Sequence, residues 1–303
     1  QGTIGKAELE VRLPYPASEE NVIFDEGVGF GGMSPGGVFA GQSIRWVFED
    51  LEPGPQDNLN VLVTMPEAWQ KVLKERDYTQ RSPRDGEGWG RLGKALKDVL
   101  RLRRGMRMDA AAQELYAESV SAYEKSVELL PEDALWHYGF ADLLWLRAYW
   151  SNQGIFASQY SDARRAVLEL RRALENLAAA GFSDAKISVV VTRHNVDQLD
   201  DFKALADRYG ATLRITRLRP SGRGADVWDE LHPTAEQQVQ LYNWLVAKGD
   251  RVLTGDSFFH LAGLGAPGAL AGLNMCGAGR VVCLIDPVGD VYACPFAIHD
   301  RFL

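Results

Sequence analysis

From Lys186 to Gly249 the chain alternates strand, helix, strand, helix, and that order constrains its fold more than any other feature. AKISVVVTRHN reads as a buried strand and VDQLDDFKALADRYG as an amphipathic helix. ATLRITRLRPSGRG reads as a second strand, and TAEQQVQLYNWLVAKG as a second helix with Thr234 at its N-cap. Antiparallel strands can be joined by a tight turn, whereas parallel strands need a crossover long enough to hold a helix. The pattern therefore predicts parallel strands linked by right-handed crossovers. Two such units supply only part of a sheet or barrel, which leaves strand edges as an association hazard.

The rest of the chain follows two other patterns. Residues 1–66 are rich in Gly, Pro and aromatics. KAELEVRLPYP places Leu9, Val11 and Leu13 on one face, and QSIRWVFEDLEP sets Ile44, Trp46 and Phe48 against Arg45, Val47 and Glu49. With NLNVLVTMP these strands predict a small antiparallel β domain. The glycine-rich FDEGVGFGGMSPGGVFAG between them lacks the strand-before, helix-after context of a phosphate cradle and reads as a loop.

Residues 67–176 read as helices. Pro66 sits near the first turn of PEAWQKVLKERDYTQ, and SDARRAVLELRRALENLAAAG has Ser161 as N-cap and Gly181 as C-cap. Trp89-x2-Leu92-Gly93-x2-Leu96 fits the first helix of a tetratricopeptide repeat, and Tyr123 through Pro131 fits the end of its second. Trp136-x2-Gly139-Phe140-x2-Leu143 opens another unit, after an insertion around Arg101–Asp109. The repeat reading predicts a protein-binding groove lined by Trp89, Tyr123 and Trp136, whereas an ordinary helical bundle would use the same residues as core.

Composition removes several function classes. The net charge is −8, and the acid excess lies in residues 1–66, with ten acids against three bases. No basic strip argues for nucleic acid. No apolar run is long enough to span a bilayer, and no secretory leader is evident, so a cytoplasmic location is expected. The chain opens on Gln1 and reads as a piece of something longer.

The three cysteines, Cys276, Cys283 and Cys294, fall in CGAGRVVCLIDPVGDVYACPF. This odd cluster suits a metal or redox site better than a disulfide framework. RVVCLIDPVGDVYACPF reads as a β-hairpin turned by Pro287 and Gly289. A four-residue loop would set Cys283 opposite Cys294, suiting shared metal ligation or a disulfide. A three-residue loop would put them on opposite faces. Three thiolates do not close a [4Fe–4S] site, and a zinc site completed by His299 lacks the usual short cysteine knuckle.

The stretch from about Glu175 to Leu303, carried by KISVVVTRHNVDQLDDFKALADRYGATLRITRLRPSGRGADVWDELHPTAEQQVQLY and CGAGRVVCLIDPVGDVYACPFAIHDRF, resembles the mycofactocin radical SAM maturases. The resemblance implies a partial α/β barrel that binds S-adenosylmethionine on a [4Fe–4S] cluster, followed by a SPASM extension with auxiliary clusters. It implies an enzyme that modifies the C-terminal Val-Tyr of a small precursor peptide with the help of a peptide-binding chaperone. Cys276, Cys283 and Cys294 would then ligate an auxiliary cluster with a fourth ligand from beyond Leu303, and Arg217, Arg219 and Arg223 would lie near the S-adenosylmethionine pocket. The alternation in Arg214, Thr216 and Leu218 fits a half-exposed strand equally well.

The C-x3-C-x2-C triplet required for radical chemistry is absent, since the chain has only the three named cysteines. The early barrel strands are missing too. The expected organisation is a β-rich domain at 1–66, helical repeats at 67–176, a partial barrel at 177–260 and a truncated SPASM-like segment at 261–303. The seam near Leu170–Leu177 is expected either as an artificial join of two partial genes or as a natural fusion with a decayed enzyme. Two functions follow: a maturase-related fragment, inactive alone, or a non-enzymatic helical binding module. Among other polar residues, His194 reads as a structural histidine, His232 and His260 carry no spacing signal, and Asp197, Asp200 and Asp201 read as a solvated helix face.

Overall fold

The computed structural model describes residues 3–23, 33–52, 54, 58–101, 110–150, 157–220, 223–254, 278 and 283–294. It is a mixed α/β chain in two compact units, residues 1–176 and 177–303. Among the described residues there is no closed barrel.

In the first unit, strands β1 (Ile4–Arg12), β3 (Val38–Ala40) and β4 (Ser43–Leu51) form an antiparallel sheet in the order β1-β4-β3. β2 (Val22–Ile23) pairs with β5 (Leu62–Val63). The alternation in β4 holds: Ile44 and Trp46 are buried and Arg45 and Val47 exposed. Along β1 and into Leu13 just after it the inward face is graded, with Leu13 buried, Val11 half-buried and Leu9 exposed. Leu9 pairs with Trp46, but β1 is a sheet edge among the described strands. On the outer face Glu10 pairs with Arg45 and Arg12, and its carboxyl is held down at about 2 by hydrogen bonds from Ser43, Arg12 and Arg45.

Five helices follow: α1 (Pro66–Arg81), α2 (Gly86–Val99), α3 (Ala110–Leu129), α4 (Ala134–Trp150) and α5 (Ala157–Ala179). Pro66 is at the start of α1, where its missing N–H costs nothing. Asp85 caps α2 by accepting from the Glu87 N–H, and its carboxyl also takes the Tyr78 hydroxyl at 2.6 Å. α5 begins upstream of Ser161, so Ser161 is not its cap; the C-cap reading holds. Gly181 adopts φ +75°, its N–H reaches Ala178 O at 3.0 Å and the Phe182 N–H reaches Leu177 O at 2.9 Å, a Schellman closure.

Residues 1–66 and 67–176 share one hydrophobic core. Tyr15, Val22, Ile44 and Trp46 from the strands pack in the same cluster as Trp69, Val72, Leu96, Leu115 and Phe140 from the helices. Trp69 sits at the junction, 1% exposed, with its ring tilted against Tyr15. Arg76 clamps the same junction with two forked pairs, to Glu20 before β2 and to Glu118 on α3. Such bidentate pairs fix geometry as well as adding energy.

In the second unit, β6 (Lys186–Val191), β7 (Thr212–Arg217) and β8 (Leu253–Thr254) form the expected parallel sheet. α6 (Leu199–Arg208) connects the first pair. α7 (Arg223–Asp226), α8 (Trp228–Leu231) and α9 (Ala235–Lys248) lie between β7 and β8. Val191, Leu199, Leu213, Ile215, Leu241 and Leu245 form the core. Thr234 caps α9 in a reciprocal box with Gln237. Thr234→Ala removes one half of that box, and a loss of about 1 kcal/mol is expected in a denaturant titration of the second unit.

The acids of the α6 segment are not simply solvated. Asp197 accepts from Gln240, and Asp200 from Trp244 at 3.0 Å and Lys248 at 2.6 Å, so these exposed carboxylates tie α6 to α9. The hydrogen bond from Lys248, then that from Trp244, lowers the Asp200 pKa. Asp201 remains exposed.

Candidate functional site

The carboxyl ends of β6 and β7 lie side by side, with Val191 in register with Arg217. In open parallel sheets this edge is where ligands collect. Asn195 builds the turn after β6. Its Oδ1 accepts from Thr192 N at 2.8 Å, and its Nδ2 donates to Val190 O at 3.1 Å. Arg193 then stitches that turn to the start of α9. Its backbone N–H donates to Leu231 O at 2.8 Å, its Nε donates to His232 O at 3.2 Å, and its carbonyl accepts from Gln237 Nε2 at 3.0 Å.

His232 stacks on Trp228, ring centroids 3.7 Å apart. Gln238 Nε2 stands 3.4 Å from His232 Nε2. An amide N–H there can donate to an unprotonated Nε2. Burial lowers the His232 pKa, and the charges of Arg193 and Arg217 lower it further. The edge thus combines an imidazole held below its usual pKa with guanidinium groups, a set suited to a carboxylate or phosphate.

Of the arginines expected here, Arg217 and Arg219 are half-buried at this edge, and Arg223 opens α7. A Cβ on Gly224 would lie 2.1 Å from Arg219 O, so this close approach is open only to glycine. Sequence reasoning missed Arg193 and His232. The spacing Trp228-x3-His232, one helical turn, was the available signal. His194 is exposed on the turn, while His260 and His299 lie outside the described residues.

The cysteine hairpin is present, with β9 (Leu284–Ile285) paired to β10 (Val291–Tyr292). Its loop has three residues. Asp286 N donates to Asp290 O at 3.0 Å, Gly289 N donates to Asp286 O at 3.1 Å, and Gly289 adopts φ +97°. Asp286 Oδ1 accepts from both Val288 N and Asp290 N. Asp, Pro and Gly fill the positions that a type I turn closed by a left-handed residue requires.

The register, Ile285 with Val291 and Leu284 with Tyr292, carries Cys283 to Ala293 and not to Cys294. Both are free thiols, Cys283 exposed and Cys294 half-buried, and Cys276 lies outside the described residues. Thiols are the right donors for an iron–sulfur cluster, but the described residues contain no group of three metal-ligating side chains. Among the described residues, Cys283 and Cys294 alone do not complete a [4Fe–4S] site.

In the first unit, the residues read as a groove are spent on the helix seam. Tyr123 is fully enclosed, stacked on Phe140 at 5.7 Å, and burial pushes its hydroxyl pKa well above the usual range. Gly93 and Gly139 abut it from two helices, and Gly90 abuts the ring of Trp136, which is 7% exposed. Trp89 is partly buried, its indole N–H donated to Pro83 O at 2.9 Å. The glycines draw the helices so close that the Tyr123 and Trp136 rings have no face left for a ligand. Lys97 is buried in the same seam and donates to Gly139 O and Asp142.

Part of this chain closely matches known maturases. Mycofactocin maturase MftC of Mycobacterium ulcerans (strain Agy99) is 92% identical over 132 residues, 44% of this chain and 36% of that protein. MftC of Mycolicibacterium smegmatis (strain ATCC 700084 / mc(2)155) is 90% identical over 132 residues, 44% of this chain and 34% of that protein. MftC of Mycobacterium tuberculosis (strain ATCC 25618 / H37Rv) is 83% identical with the same shares. The chain spans about a third of the length of these relatives. No family profile and no solved structure matches it. Among the described residues no helix is long and apolar enough to cross a membrane.

Proposed function

We propose that the second unit is part of a radical SAM/SPASM maturase of the mycofactocin type, and that this polypeptide alone does not perform radical chemistry. The 92% identity over 132 residues carries the reading. That identity supports reading the parallel sheet, the arginine-lined edge and the cysteine hairpin as parts held in common with these relatives. Arg217, Arg219 and Arg223 would meet the anionic part of S-adenosylmethionine, and Cys276, Cys283 and Cys294 would bind an auxiliary cluster. The precursor peptide and its chaperone would be the partners of the complete enzyme. A bound S-adenosylmethionine would supply the radical, whereas the residues of this chain can only bind and orient.

Three cysteines are too few for both the catalytic cluster and an auxiliary one. After anaerobic reconstitution with iron and sulfide, the chain is expected to retain iron that Cys283→Ser removes. Given S-adenosylmethionine and a strong reductant, it is expected to form no 5′-deoxyadenosine. Turnover of S-adenosylmethionine would overturn the inactive reading, and iron retention indifferent to Cys283→Ser would overturn the ligand assignment.

A second reading applies to the first unit. The close approaches of Gly90 to Trp136 and of Gly93 and Gly139 to Tyr123 support tetratricopeptide-like helix pairs. A protein-binding role on this unit is then carried by a surface other than the Trp89, Tyr123 and Trp136 seam.

A further inference from the structure

α5 turns Val167, Leu168 and Leu170 away from the core, while Leu174 and Leu177 are half-buried. Among its described side chains only Ala166 and Ala173 are buried. It is held mainly by polar contacts: Asp162 to Arg147, Arg165 to Glu124, Glu169 to His137, and Asn176 to Pro131 O. Meanwhile Val167 is 45% exposed, Leu168 57% and Leu170 39%. An amphipathic helix normally turns such residues inward.

The sequence of α5 explains the pattern. RRAVLEL at 164–170 is followed by RRALENL at 171–177, a seven-residue repeat. It aligns Ala163, Val167, Leu170 and Leu174 at alternating spacings of four and three, the seam of a coiled coil. Arg164 and Arg171 border that seam one heptad apart, with Arg172 beside them. All three are exposed and have no carboxylate partner among the described residues. Arg165, by contrast, is engaged with Glu124 and lies over the Phe140 ring.

We propose that the outer face of α5 docks a partner helix whose aliphatic seam is flanked by carboxylates one heptad apart. The two unpaired arginines at flanking positions set the sign of the partner, because such positions select it by charge. The narrow aliphatic row favours a helix over a lipid surface, which calls for a broad apolar face with aromatic anchors. This inference concerns the first unit and is independent of the maturase reading.

The test uses the full chain and two labelled synthetic three-heptad helices with Ile and Leu in the seam, one with Glu and one with Lys at the flanking positions. The Glu helix is expected to bind saturably, followed by fluorescence anisotropy, and to weaken in high salt. Arg164→Glu with Arg171→Glu is expected to weaken it about tenfold, and Arg164→Gln with Arg171→Gln by less. Leu170→Asp should abolish binding. Circular dichroism checks that these surface variants fold. Equal binding of both helices, no loss in the variants, self-association through Leu170, or capture of anionic vesicles in place of the Glu helix would each overturn the proposal.

Discussion

Gly90→Ala is expected to destabilise the first unit by about 2 kcal/mol, although alanine is the better helix former. A methyl group at this position would lie 2.3, 2.5 and 2.6 Å from three ring carbons of Trp136. The intrinsic gain of alanine over glycine in a helix is about 1 kcal/mol. Forcing a methyl into a packed seam costs about 1–3 kcal/mol, more where the neighbour cannot move. Trp136 is a ring on a second helix, 7% exposed, and α2 cannot retreat without parting Gly93 from Tyr123. The clash therefore outweighs the propensity. The thermal midpoint should fall by roughly 4–8 °C for a unit of this size. The double variant Gly90→Ala with Trp136→Phe should recover part of the loss, since a smaller ring makes room and the buried Trp136 indole N–H has no hydrogen-bond partner to lose. A more stable Gly90→Ala protein would show that the helices do not meet as described.

Trp69→Ala is expected to cost about 3–5 kcal/mol. Against the usual total of about 5–15 kcal/mol, that is a third or more of the stability of a domain. The residue belongs to α1, but its ring lies in the cluster that also holds Tyr15, Ile44 and Trp46 from the strands. Strand and helix should therefore fail together. In a urea titration, the helical circular-dichroism signal and the tryptophan fluorescence of the first unit should shift to lower denaturant by the same amount. A helical transition that kept its wild-type midpoint while the fluorescence shifted would mean two independent domains.

Local chemistry was legible in the sequence wherever a single residue decides the backbone. Pro66 opens a helix, Thr234 caps one and Gly181 closes one, because each choice depends on neighbours within four positions. The parallel sheet was legible from element order, and the β4 alternation from its period of two. Ser161 misled because a residue with a capping side chain can equally sit inside a helix, where α5 places it. Asp200 read as solvated because its partners, Trp244 and Lys248, are more than forty residues away. Distance along the chain hid the shared core in the same way: nothing near Trp69 announces Tyr15. Tyr123 and Trp136 had two readings from one pattern, and the glycines opposite them place both rings inside. At the candidate edge, strand ends were readable, but Arg193 and His232 acquire their surroundings only when the turn after β6 meets the start of α9.

The odd-numbered loop of the cysteine hairpin sets a parity. Side chains alternate along each strand, so a turn of three residues keeps Cys283 and Cys294 out of phase, whereas a turn of four, reached by slipping the pairing one residue, would bring them into step. A single ion gripped by both sulfurs would oblige the ribbon to unzip and close again one notch along. Its capture rate would then follow the opening of two short strand pairs and would level off as the ion concentration rises.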